Sequence, residues 1–274
     1  MIKSIKTLFS YKSFIIITSA FLVFLIWRLV LAVSGNLSLD DVHIHVWAAS
    51  YQIVAWLGAI IGLIFSRSWG SYKSIIGRAA IAFSAGLLAQ SFGQSVFSYY
   101  FYTGSQAPYP SLADIGFFGS IPLYCYGIIL LGKAAGAHIS LRSSINKMYV
   151  IVIPFAILLT SYIFFLKDYE FTSVNIRMFL DFGYPLGQAI YISLAILAYF
   201  LSRNTLGGLM KKPVLLFVAA LVVQYACDYT FLYQSSRNIF VGGGLVDLMY
   251  LISYFIMSLA LVKLIIVFEK IKNS

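Results

Sequence analysis

Eight stretches of mainly apolar residues, each near twenty long, constrain this chain more than any motif in it. They cover 13–33, 44–65, 79–99, 114–132, 147–166, 178–201, 213–233 and 245–268. A helix needs about 20 such residues to cross the hydrocarbon of a bilayer. Lipid offers peptide groups no partner, so only helices and closed barrels span it, and barrel strands are about half this length. Composition agrees: 61% of the 274 residues are hydrophobic and 10% are charged, against about 25% charged in soluble domains. The pattern predicts an all-α integral membrane protein of eight transmembrane helices in a single domain, 1–274. Lys3, Lys6 and Lys12 precede the first apolar run much as in a signal peptide. That run is too long for one, and it carries Arg28, so it reads as a retained helix.

A repeat organises the polar residues. Arg28, Gln94, Ser161 and Asp228 are spaced by 66, 67 and 67 residues, and Asp114, Asp181 and Asp247 by 67 and 66. Each of these three aspartates opens Asp-x-x-aromatic, ending at Phe117, Tyr184 and Tyr250. A period held this closely indicates one unit written several times. Each unit contains two apolar stretches, which predicts four hairpins at about 13–65, 79–132, 147–201 and 213–268.

The basic residues set the orientation. Of 19 Lys and Arg, 15 fall towards one side of this arrangement. Lys167, Arg177 and Arg237 lie on the other side, and Arg28 lies within a span. The positive-inside rule makes both termini cytoplasmic and the hairpins parallel. The net charge of +10 therefore reports topology and gives no reason to expect nucleic-acid binding. The implied location is a membrane crossed several times, with both termini on its cytoplasmic face. Cys125 and Cys227 both fall in apolar stretches, so no disulfide framework is expected.

Arg28 and Asp228 each lie 15 residues into an outward-running stretch, roughly 22 Å along a helix. An ionised group at that depth costs at least about 2.5 kcal/mol unless it finds a partner. Matching depth and opposite sign make the two natural partners. Gln90 and Gln94 share a face four residues apart, as do Gln224 and Asp228, and Ser161 holds the equivalent place in the fifth stretch. These side chains could be glue between helices or could line a pocket. Asp114, Asp181 and Asp247 suit the role of helix caps, with Asp40 or Asp41 doing the same for the second helix. Ligand contact is the other reading of these aspartates. Trp47 and the run from Tyr99 to Tyr102 fit an aromatic belt at the membrane surface.

Several chemistries find no support in these residues. There is no mid-membrane lysine for a retinal Schiff base, no paired-histidine metal motif and no phosphate-binding glycine loop. All three histidines lie outside the deep membrane, which disfavours a serine hydrolase. No catalytic residue, metal or cofactor is assigned.

The stretch Pro108-Tyr-Pro-Ser-Leu-Ala-Asp114, leading to Phe117 and Phe118, resembles a bacterial multi-pass sensory module often found before GGDEF diguanylate cyclase domains. Asp181-Phe-Gly-Tyr-Pro-Leu-Gly187 and Gly244-Leu-Val-Asp247-Leu-Met-Tyr250 look like further copies, although Gln188 stands where that family often has a second Asp. The resemblance implies a sensory role. With no effector domain after residue 268, it also implies a cytoplasmic or membrane signalling partner. The expectation is a non-catalytic sensory or ligand-binding module with an outward-facing pocket for a small polar or anionic ligand. Arg28, Gln90, Gln94, Ser161, Gln224 and Asp228 would line that pocket, with Asp114, Asp181 and Asp247 at its mouth. A small-solute or ion transporter with two four-helix halves is the first alternative, and a structural subunit of a membrane assembly is the second.

The topology is directly testable. Single cysteines introduced at Ser105, Glu170 and Asn238 are expected to react with an impermeant reagent from outside, and those at Tyr72, His138 and Gly207 are not. External labelling at His138 or Gly207 would overturn both the orientation and the hairpins.

Overall fold

The computed structural model describes residues 2–35, 42–103, 108–136, 144–167, 175–202, 210–237 and 239–273. All regular structure among them is helical. The α-helices are α1 (Ile2–Val33), α2 (Val42–Ser50), α3 (Ile53–Ser66), α4 (Ile75–Tyr102), α5 (Leu112–Ala134), α6 (Ser144–Ser161), α7 (Ile176–Ser202), α8 (Lys211–Ser236) and α9 (Leu245–Asn273). Seven apolar helical segments are long enough to cross a membrane, with α2 and α3 acting together as one of them. This is the pattern of a multi-pass membrane protein.

The second and fifth apolar stretches differ from simple spans. The second is broken at Tyr51 and Gln52, which form a tight turn between α2 and α3. The Ser50 hydroxyl donates to the Val46 carbonyl just before the break, a side-chain bond that competes with the helical ladder and bends helices. The fifth stretch is α6 followed by a π-turn, Tyr162–Leu166, so its apolar α-helical portion falls short of a full span. Pro154 and Pro185 lie inside α6 and α7, and Pro122 lies inside α5. Asp40 and Asp41, expected to cap the second helix, lie outside the described residues.

Packing is uneven across the bundle. In α9, 61% of the most apolar window is buried, against 17% in α1. α9 is therefore the central helix, touching α1, α3, α4 and α8. α1 lies at the edge and presents Val23, Ile26, Leu29 and Val30 outward. Small residues permit the closest approaches, since helices in lipid associate by van der Waals fit rather than by expelling water. A Cβ added at Gly116 of α5 would run into the backbone of Ala89 and Gly93 on α4. One added at Gly58 of α3 would meet Ser258 of α9. Gly119, one turn from Gly116, faces open space.

That contrast yields a paired prediction. Gly116→Ala is expected to lower stability by about 1–3 kcal/mol, the usual cost of overpacking. Gly119→Ala, on the same helix with room for the methyl, is expected to change it little. Reversible unfolding in mixed micelles measures both.

Candidate polar site

The α5 start is encoded locally. Ser111 is extended and caps the helix by accepting from the Ala113 N–H at 3.2 Å. Asp114 reciprocates by accepting from the Ser111 N–H at 2.7 Å, which completes a capping box. Asp247 does similar work at α9, accepting from the Gly243 N–H at 2.5 Å. Gly243 adopts φ +75°, a conformation that costs glycine nothing. Asp181 is not a cap. α7 begins earlier than its apolar pattern suggested, and Asn175 caps it by accepting from the Met178 N–H at 2.9 Å. Asp181 therefore sits one and a half turns inside the helix, where it approaches Arg177 at 4.0 Å.

Every aspartate among the described residues accepts a tyrosine hydroxyl from another element. Tyr184 of α7 donates to Asp114 of α5 at 2.7 Å. Tyr109, in the segment before α5, donates to Asp181 of α7 at 2.8 Å. Tyr191 of α7 and Tyr250 of α9 donate to the two oxygens of Asp228 on α8, at 3.1 and 2.8 Å. Tyr51, at the α2–α3 break, donates to Asp247 at 3.0 Å. The Asp-x-x-aromatic pattern thus has a different purpose from pairing within one helix. Tyr184 and Tyr250 turn away from their own aspartates and bind carboxylates on neighbouring helices.

The glutamines complete the interior. Gln224 donates to Asp228 at 3.0 Å and accepts from Ser253 of α9 at 2.9 Å. Gln90 of α4 donates to Ser120 of α5 at 2.7 Å, and Tyr254 of α9 donates to Gln90 at 3.4 Å. Gln94 is buried one turn further along α4. Ser161 of α6 is buried and hydrogen-bonds Tyr229 of α8. The tyrosine rings stack as well: Tyr254 lies between Tyr51 and Tyr250, with centroids at 6.1 and 6.0 Å.

The structure corrects the pairing of Arg28 with Asp228. The Arg28 Nε–H donates to the Gly243 carbonyl at 2.9 Å. Its guanidinium lies 5.7 Å from the Trp47 ring centroid and feels the charge of Asp247. Asp228 is instead satisfied by Tyr191, Tyr250 and Gln224. Equal depth in two helices says nothing about their rotation or separation around the bundle. α1 packs on α2, α3 and α9, so Arg28 meets the start of α9. Trp47 is corrected too: it is fully buried, donates to the Phe24 carbonyl at 2.8 Å and stacks on Tyr51, so it does not belong to a surface belt. Tyr99 and Tyr102 are exposed, as a belt requires.

The sequence-derived site thus separates into distinct groups. Arg28 and Asp247 share Gly243, and Tyr51 donates to Asp247, while Gln224 and Asp228 sit with Tyr191, Tyr250 and Ser253. Asp114 and Asp181 form a third group with Tyr184, Tyr109 and Arg177. This third group is the accessible one: Tyr109 is 41% exposed and the Arg177 side chain 66%. Partial burial and the bond to Asp181 push the Tyr109 phenol well above the usual tyrosine range, so it remains a donor. Among the described residues no three His, Cys, Asp or Glu side chains gather as a metal site would need.

Two measurements follow. Tyr250→Phe and Tyr191→Phe are each expected to cost about 1 kcal/mol, the upper part of the range for side-chain bonds between membrane helices. In double-mutant cycles, Arg28→Met and Asp228→Asn are expected to add within about 0.5 kcal/mol, whereas Arg28→Met and Asp247→Asn couple beyond that.

A scan against protein-family models finds no match to this chain, and searches of the curated proteins and of the solved structures find none either.

Proposed function

We propose that this chain is a membrane-embedded sensory module that binds a small polar or anionic ligand where α5 and α7 begin. One observation carries the reading. The exposed group of Tyr109, Arg177 and Asp181 lies beside the buried Tyr184, and two tyrosine–aspartate bonds, Tyr109 to Asp181 and Tyr184 to Asp114, tie α7 to α5 and the segment before it. A ligand that takes the Arg177 guanidinium or the Tyr109 hydroxyl competes with Asp181 for it. The competition changes how the segment before α5 is held to α7, and Asp114 and Tyr184 pass that change on to the α5–α7 contact. Arg177 would supply the charge that favours an anion.

The same proposal includes eight spans in four parallel hairpins, with α6 and its π-turn as the fifth span. It places both termini in the cytoplasm of a bacterium and the aspartate end outside the inner membrane. The resemblance to modules that precede GGDEF domains supports signalling through a separate protein partner. Arg28, Gln90, Gln94, Ser161, Gln224, Asp228 and Asp247 become the framework behind the site rather than its lining. The structural-subunit reading draws support from Asp228, whose oxygens already have three donors and whose exposure is 8%.

The test is thermal unfolding of the purified full-length chain against a panel of amino acids, dicarboxylates and inorganic phosphate. A stabilising solute is expected, and its effect is expected to fall about tenfold or more in apparent affinity with Arg177→Gln, consistent with loss of a charged hydrogen bond. Flux of that solute into liposomes would favour the transporter. No shift with any solute would favour the structural subunit.

A further inference from the structure

A cavity of about 380 Å³ opens between α1, α8 and α9, at the end of the bundle away from the aspartates. Lys263 on its wall lies 16 residues beyond Asp247 along α9, roughly 24 Å along the axis. Phe14, Leu216, Leu259 and Ile266 line the cavity together with Lys212 and Lys263, and no carboxylate does. Lys263 is half-buried within an apolar helix, and Lys212 is exposed in the first turn of α8. Neither has an ion-pair or hydrogen-bond partner among the described residues. The first turn of α8 also contains no acidic residue and no side-chain cap, so its partial positive charge adds to that of the lysines.

A half-buried cation beside an apolar slot needs an anion that brings hydrocarbon with it. The slot borders α1, whose most apolar window is only 17% buried, and so lies where acyl chains meet the protein. We infer that this cavity binds an anionic phospholipid, with one acyl chain lying along Phe14, Leu216 and Ile266 and the headgroup phosphate held between Lys212 and Lys263. Basic pockets between transmembrane helices hold such headgroups elsewhere. The inference requires only that the chain be a membrane protein and is independent of the sensory reading.

Native mass spectrometry of the full-length protein in neutral detergent, titrated with phosphatidylglycerol or phosphatidylcholine, tests it. Each lysine beside the phosphate contributes about fivefold, so phosphatidylglycerol is expected to bind about thirtyfold tighter than phosphatidylcholine. Lys212→Gln with Lys263→Gln is expected to abolish the preference. Lys133→Gln with Lys272→Gln, an equal charge loss at the same end but off the cavity, is expected to keep it. Leu216→Trp, which fills the slot and leaves the charges alone, is expected to weaken binding of both lipids. If the double lysine variant does not fold, Lys212→Gln alone decides, with a fivefold loss expected. Equal binding of the two lipids by the unaltered protein overturns the inference, as does a preference that survives loss of the cavity lysines. Inorganic phosphate binding as tightly as phosphatidylglycerol would make this an ion site and overturn it too.

Discussion

Tyrosine hydroxyls donated to aspartates across helix boundaries are the interaction on which the rest of this structure depends. Inside a bilayer the hydrophobic effect does not drive one helix against another, because lipid is as apolar as a leucine face. Close fit and polar bonds between helices must supply the cohesion. In this chain the close fit comes from Gly116 against α4 and Gly58 against α9. The polar bonds come from carboxylates that join α5 to α7, α7 to α8, α8 to α9 and α9 to the α2–α3 break. Tyrosine suits the task. Its ring packs like any core aromatic, and its hydroxyl brings one donor to an acceptor that would otherwise be stranded.

The break between α2 and α3 illustrates how local and global demands agree. An unbroken helix would carry Tyr51 along one regular spiral. The turn at Tyr51 and Gln52 instead places that phenol against Asp247, with Trp47 and Tyr254 stacked on either side. Asp247 is thereby committed twice, to the Gly243 backbone and to Tyr51, and Gly243 in turn presents its carbonyl to Arg28. A positive-φ glycine, an acidic residue in the first helical turn and an intramembrane arginine form one construction.

Much of the helical architecture was legible in the sequence, because lipid leaves an apolar run of twenty residues almost no choice. A capping role for Asp114 was legible for the same kind of local reason, although the N-cap itself is Ser111, three residues earlier. The polar residues were correctly singled out by their cost, yet their partners were not. A spacing of about 67 residues speaks only to position along each apolar stretch, whereas partnership depends on rotation about each helix and on which helices are neighbours. Arg28 and Asp228 lie equally far along their apolar stretches and both their helices touch α9, yet one side chain bonds Gly243 and the other Tyr191, Tyr250 and Gln224. The tyrosines were harder still. They number 20 in a chain that is 17% aromatic, so a phenol that bonds a carboxylate looks like one that only fills space. Tyr184 and Tyr250 were visible as spacing, but a linear pattern suggests a partner on the same helix, and theirs lie on others.

Arg28 and Gly243 are separated by 215 residues, and a ribosome builds them in that order. The arginine enters the membrane with α1, and its acceptor is made only when the segment before α9 emerges. Until then the guanidinium must reach toward headgroups for solvation, which a thinly packed edge helix such as α1 allows. The arrival of α9 ends that wait, and the same step gives Asp228 its Tyr250 and Gln90 its Tyr254. Arrival of α9 and closure of this polar interior are one event, so a cell that inspects its membrane proteins for stray charge would recognise a copy lacking α9 by Arg28.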